Sequence, residues 1–349
     1  CGEFVLLGRS IGTPNGIANA ARLLEEVIFD LPLGSTNLPE SNRGRDYPDM
    51  PALWNAFERR VQQTMSALAH WQIHTYTCTQ NQTELLPLSL MMEGAIEKER
   101  ALFDAEGHHQ GGTMELYGMV DAADSLLAIE KIVFEMKLIS WSDLREALLD
   151  NFKGHETLLA RLKRLTNYGN EYAPADEWVR KVHETFCRHT MSEGKMAGLD
   201  SFLVVVINNW VNTAMGRYTG ALPCGRKKGT ALANANGPRP GQDQKGPSAL
   251  LSSMTCLKSG IDAGTVQNLK LSPEWFENEA NDLKALLKQY ELQGGTQLMV
   301  TVSRPEELRK AMEHPEDYAH LMVRVGGFSA RFVDLPRDCQ MEIMERTLH

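Results

Sequence analysis

The chain has 349 residues, 42% of them hydrophobic, and 45 acidic against 36 basic side chains leave a net charge of −9. It is long enough to bury a substantial core as one large α/β unit or two domains, and too ordinary in composition to be disordered or fibrous. The acidic balance offers no footprint for nucleic acid, and the longest apolar run, Phe202 to Ile207, falls far short of the roughly 20 residues that span a bilayer.

Residues 15–30 place apolar side chains at helical spacing, and a polar, proline-rich loop follows. A helix is predicted over 51–71, with Leu53, Trp54, Phe57, Val61, Met65 and Leu68 on one side, and another over 88–103. In GHHQGGTMELYGMVDAADSLLAIEKIVFE a glycine-rich loop is expected to run into a helix capped by Asp121 or Asp124. Helical patterns continue over 141–165 and 175–193, and SFLVVVINNWVNTAMG reads as a buried element, a helix in preference to a strand.

From 220 to 247 the texture changes to glycine, proline, asparagine and lysine, which on composition alone reads as a solvated loop or a linker. Helices are expected over 275–290 and in RPEELRKAMEHPEDYAH, with TQLMVTVS as a strand between them. LMVRVGGFSARFVDL, residues 321–335, reads locally as two short strands joined at Gly326 and Gly327.

Several features have a bland meaning that the sequence favours. His108 and His109 with Glu106 form no ligand set, because adjacent histidines point apart and no further ligand is suitably spaced. A loop near substrate or a solvated loop fits them better. Arg226, Lys227 and Lys228 read as a solvated turn ahead of a phosphate site. Met91 and Met92 read as core, and Cys224, Cys256 and Cys339 as passive small residues. Six cysteines without CxxC spacing indicate neither zinc nor a disulfide framework, so reduced thiols and a cytoplasmic setting fit best. The sequon at Asn81 then carries no glycan.

The chain opens CGEFVLLGRS, and three readings of Cys1 stand on the residues alone. It is the nucleophile of an N-terminal cysteine amidohydrolase, with the free amine as base; a lipidated cysteine left by signal cleavage; or the cut end of a fragment that begins at a catalytic cysteine. An amidohydrolase of that kind needs a β-rich sandwich, whereas the first 190 residues are mostly helical in pattern. A lipoprotein places a polar tether after its cysteine, whereas FVLLG follows here.

Arg324, Val325, Gly326, Gly327 and Phe328 resemble the Arg-Val-x-Gly-Tyr signature of the glycyl radical enzymes, the family of pyruvate formate-lyase, glycerol and diol dehydratases, choline lyase and arylacetate decarboxylases. The tail QMEIMERTLH, the stretch TGALPCGRKKGTALAN with GPRPGQDQKGPSA, and the helix VDAADSLLAIEKIVFE are similar to family segments in the same order. The resemblance puts the radical on Gly327. Glycine suits that role physically, because an α-carbon radical delocalises into its flanking amides only near planarity, which a Cβ would crowd.

It also implies that Cys1, 326 positions before Gly327, is the cysteine that receives the radical as a thiyl. Glu3, two residues along an extended loop, would share its side and serve as general base. The family's dehydratases carry Cys-Val-Glu there, so Gly2 is a departure, as is Phe328 for tyrosine. Pyruvate formate-lyase uses paired cysteines without that glutamate, which disfavours acyl transfer; a fumarate-adding reaction is another branch of the family.

The implied fold is α/β, the C-terminal part of a glycyl radical enzyme barrel (a half barrel) with many surrounding helices. Residues 1–219 would form the barrel portion and 220–349 the glycyl radical domain. The implied chemistry is a radical lyase reaction on a small organic substrate, through dehydration or C–N or C–C cleavage. No bound cofactor or metal is implied. The radical would be made on Gly327 by a radical S-adenosylmethionine activating enzyme with an iron–sulfur cluster, on a full-length homodimer.

Overall fold

The computed structural model describes residues 6–11, 14–104, 108–258, 260–277 and 280–349. Its centre is an all-parallel sheet. β1 (Ser10–Ile11) and β2 (Pro14–Asn19) both pair with β3 (His109–Tyr117), which pairs with β4 (Ser201–Val206), which pairs with β5 (Gly264–Thr265). Parallel strands need helical crossovers and are covered on both faces, so they read as continuous rather than alternating apolar runs.

That property explains the first two of three departures from the periodicity. Val204, Val205 and Val206 are fully buried in β4, where a helix was expected; a short run buried on both faces has no period to tell strand from helix. HQGGTMELY is β3 rather than a glycine-rich loop, with Phe202 and Gln72 filling the space over Gly112. The expected helix at 15–30 begins only at Ala20, where Asn19 ends β2 and its side chain caps the amide of Arg22 at 3.1 Å.

The helix predicted over 51–71 forms and runs longer, Met50–Gln82, opened by an Asp49 cap on the amide of Ala52 at 2.8 Å. Its buried side chains Leu53, Trp54, Phe57, Val61, Met65, Ala69, Gln72 and Tyr76 recur every three or four residues and face the Ala173–Ala197 helix. Trp54 meets Trp178 at 5.6 Å and Phe57 meets Phe186 at 6.4 Å between ring centroids. Lys181 lies over both tryptophans, 4.0 and 4.6 Å from their centroids.

The helix expected over 88–103 does not form. Only the short turns Leu86–Ser89 and Ala95–Lys98 are helical, separated by Gly94 and ended by Glu99, both in the left-handed region. Met91 is 75% exposed, against its reading as core.

Beyond the sheet the chain builds two smaller units. β6 (Gln267–Leu271) and β7 (Leu298–Val302) pair in parallel across the Ala280–Leu292 helix. β8 (Met322–Arg324) and β9 (Ser329–Arg331) form an antiparallel hairpin. Each unit has its own apolar cluster, separate from the large one around the parallel sheet. Among the described residues no helix is long and apolar enough to cross a membrane.

Candidate functional site

The hairpin of β8 and β9 follows from its sequence. Val323 and Val325 alternate inward onto Leu308, Ala311, Phe332 and Ile343, while Met322 faces out. Arg324 pairs with Ser329, and the Val325 amide donates to the Phe328 carbonyl at 3.1 Å, which closes the turn over Gly326 and Gly327. The tip does not project into solvent. It presses on the turn after β4, where a Cβ on Gly326 would fall within the van der Waals envelope of the Asn208 carbonyl. Phe328 stands edge-on to Trp210 at 5.9 Å and 77°. The departure from tyrosine thus places an apolar ring on an aromatic partner.

The same turn carries polar groups. Asn208 is fully buried, and among the described residues neither atom of its carboxamide has a partner. A buried amide left unsatisfied costs on the order of 1–3 kcal/mol, so the group sets Asn208 apart from the hydrogen-bonded side chains around it. The Tyr117 hydroxyl lies 2.8 Å from both the Asn209 Oδ1 and the Glu115 Oε2, which joins the end of β3 to the end of β4.

Gly327 is half-buried at the hairpin tip, and its carbonyl accepts from Arg324 Nη2 at 3.4 Å. Arg324 also donates through Nη1 to the Ser329 hydroxyl at 2.9 Å. Cys1, Gly2, Glu3 and Glu106 lie outside the described residues. The polar groups of Asn208, Asn209, Tyr117 and Glu115 escaped sequence reasoning, and the one available signal was the polar pair that interrupts INNW directly after the apolar run.

Much of the stretch expected to be a solvated loop is instead buried and hydrogen-bonded beside the hairpin. Residues 219–226 and 232–237 are buried. The Gly220 amide donates to Glu25 at 3.0 Å, the Cys224 amide to Ser125 at 3.3 Å and the Ala233 amide to Asp121 at 2.8 Å. Arg226, 5% exposed, is a clamp rather than part of a solvated turn: it donates to the carbonyls of Gly216 and Gly220 at 2.8 and 2.9 Å, and to Thr230. Lys227 to Thr230 face solvent, as do Gly241, Gln244 and Lys245.

Asp121 and Asp124 do not cap their helix, Met119–Ile129, whose N-cap is Gly118. Both are buried within it and serve the loop. Asp124 takes Arg239 at 3.0 Å and the Tyr168 amide at 3.1 Å. Burial pushes both carboxyls above their usual range, against the pull of Arg226 and Arg239 on Asp121 and of Arg239 on Asp124.

The remaining candidates are quiet. Burial pushes the Cys256 and Cys339 thiols up to about 12 and raises that of Cys224, which keeps them from thiolate chemistry. His109 opens β3 and contacts the Ser201 hydroxyl at 3.0 Å, and His108 is buried. Among the described residues no group of three or more His, Cys, Asp or Glu side chains is arranged to hold a metal ion.

A family model described as pyruvate formate lyase-like matches residues 1–208, and one described as glycine radical matches residues 232–333. The chain is 29% identical over 370 residues to the isethionate sulfite-lyase of Bilophila wadsworthia, covering 100% of this chain and 43% of that protein. It is 30% identical over 276 residues to the (2S)-3-sulfopropanediol dehydratase of Klebsiella oxytoca, covering 76% of this chain and 33% of that protein. The glycerol-bound form of the B12-independent glycerol dehydratase from Clostridium butyricum superposes with a TM-score of 0.90 at 27% identity, over 98% of this chain and 44% of that one. A glycyl radical enzyme from Archaeoglobus fulgidus does so with a TM-score of 0.88 at 26% identity, over 99% of this chain and 44% of that one. The chain therefore spans less than half the length of these relatives. With a parallel sheet flanked by helices, a glycine hairpin seated against its β4 turn, and a family model over more than half its length, the chain belongs to the pyruvate formate lyase-like family of glycyl radical enzymes.

Proposed function

We propose that this chain is part of a radical lyase that stores an unpaired electron on Gly327 and uses it to eliminate a small group from an organic substrate. The observation that carries the reading is the glycine hairpin pressed on the Asn208 carbonyl at the end of β4, within the segment that the glycine radical family model matches. In this reading residues 1–219 belong to the barrel and 220–349 to the radical-bearing portion.

The steps balance as hydrogen-atom transfers. The Gly327 radical takes the hydrogen of the Cys1 thiol, and the resulting thiyl takes a hydrogen from a substrate carbon. Glu3 removes a proton from the neighbouring substrate group and passes it to the leaving group, which departs with the bonding electron pair; the Cys1 thiol then returns its hydrogen to the product radical, and the thiyl so formed takes a hydrogen back from Gly327, which restores the radical there. Relatives named as a sulfite-lyase and a diol dehydratase support elimination as the reaction class, and Glu3, two residues after Cys1, supports it over acyl transfer. A radical S-adenosylmethionine enzyme is the activating partner in this reading.

The test is electron paramagnetic resonance on full-length protein activated without oxygen. A doublet is expected from coupling to the single remaining α-hydrogen, and Gly327→Ala is expected to lose it; a doublet that survives that substitution refutes the assignment. Glu3→Gln is expected to keep the doublet and abolish turnover, and turnover retained in Glu3→Gln removes Glu3 from the mechanism.

A further inference from the structure

A run of buried and half-buried side chains, none of them needed for the proposed steps, joins the glycine hairpin to the glycine-rich loop. Arg346 donates through Nη1 to the Arg324 carbonyl and through Nη2 to the Val325 carbonyl, both at 2.8 Å, and so grips the two peptide groups that precede Gly326. Glu342, one turn back on the Arg337–Glu345 helix, holds that guanidinium at 3.1 and 2.7 Å.

Glu342 is itself fixed from the opposite side. It is buried and accepts from Asn234 Nδ2 at 2.8 Å, while Asn234 Oδ1 accepts from Asn268 Nδ2, on β6, at 2.7 Å. The residue before Asn234 is anchored by its amide to Asp121, deep in the Met119–Ile129 helix. The relay therefore runs from a helix beside the parallel sheet, through the glycine-rich loop, to the backbone one residue before the hairpin tip.

We infer that Asn234, Glu342 and Arg346 are positioning residues that set where the hairpin tip sits against Asn208, and with it the distance over which Gly327 exchanges its hydrogen atom. The inference rests on the radical reading of Gly327. Its physical basis is that the hairpin has only a small apolar cluster of its own, whereas a displacement of about 1 Å from productive geometry costs on the order of a hundredfold in rate.

The experiment uses activated full-length protein and reads unpaired spins per chain, kcat per spin and KM. Glu342→Gln keeps the shape and loses the charge that holds Arg346; Asn234→Ala unties the loop; Arg346→Lys keeps the charge and loses the two-carbonyl grip. Each is expected to lower kcat per spin by about ten- to a hundredfold with KM unchanged, and Glu342→Asp to recover part of the loss seen in Glu342→Gln. Normalising to spins removes any loss of folded or activated protein, and Asn234 lies on a different element from Glu342 and Arg346, so misfolding at one place leaves a readout at the other. Parent-like kcat per spin in Glu342→Gln and Asn234→Ala, or a loss confined to KM, overturns the inference. A parent protein without a doublet overturns the radical reading instead, before any variant is compared.

Discussion

The two glycine-rich regions that meet in this protein use glycine for opposite ends. In the 219–239 loop, side chains come to the backbone: a Cβ on Gly220 would collide with the Glu25 carboxylate that accepts its amide, and Arg226, Asp121 and Asp124 complete a cage of buried charges. At the 322–331 hairpin, backbone comes to backbone, with Gly326 against the Asn208 carbonyl. One region is held by buried carboxylates and a guanidinium hydrogen-bonded to its backbone. The other is a small satellite whose place is set from outside.

The largest effect that separates the two regions is expected from breaking the loop's ion pair. Arg239→Met leaves Asp124 buried without its cation, and a loss of about 3–5 kcal/mol is expected in denaturant unfolding; a loss below about 1 kcal/mol would mean that the cage is redundant. Gly326→Ala attacks the hairpin instead. A well-packed site that must shift for an added methyl loses about 1–3 kcal/mol, and here the loss is expected together with lower turnover per spin, because the tip moves off Asn208. Unchanged stability and turnover would show that the close approach is incidental.

A pH titration sharpens the contrast further. Lys270, buried between the regions, has its ammonium lowered to about 8 by burial and by Arg346, against the pull of Glu342. Between about 8 and the unfolded lysine value of about 10.4 the unfolded chain binds a proton that the folded chain does not. Stability is therefore expected to rise with pH across that window and stay level below it, and Lys270→Met to flatten the slope. The smallest effect is expected at Lys227→Ala and Lys228→Ala, within about 0.5 kcal/mol, since both face solvent beside the buried Arg226.

Legibility in the sequence followed how local each signal was. The Met50–Gln82 helix could be read because one face is buried and the other wet, so its period survives in the residue order. β3 and β4 could not, because burial on both faces erases the alternation that marks a strand. Composition misread the 220–247 stretch, since glycine, asparagine and lysine in a row look the same whether their backbone amides meet water or buried carboxylates. Cys1 and Glu3 were named from a motif, and their placement lies outside the described residues.

What the sequence determined by itself was chemistry tied to residue identity: a glycine pair after Arg324 and Val325, a thiol and a carboxylate two residues apart, and a family resemblance spread over four segments. What only the tertiary structure decided was which groups meet. The Asn208 carbonyl under Gly326, the ring of Trp210 against Phe328, Asn234 on Glu342 and Arg346 on the carbonyls of Arg324 and Val325 join residues about 20 to 120 positions apart. No local pattern encodes such contacts, because each is a by-product of how separate elements bury their apolar faces.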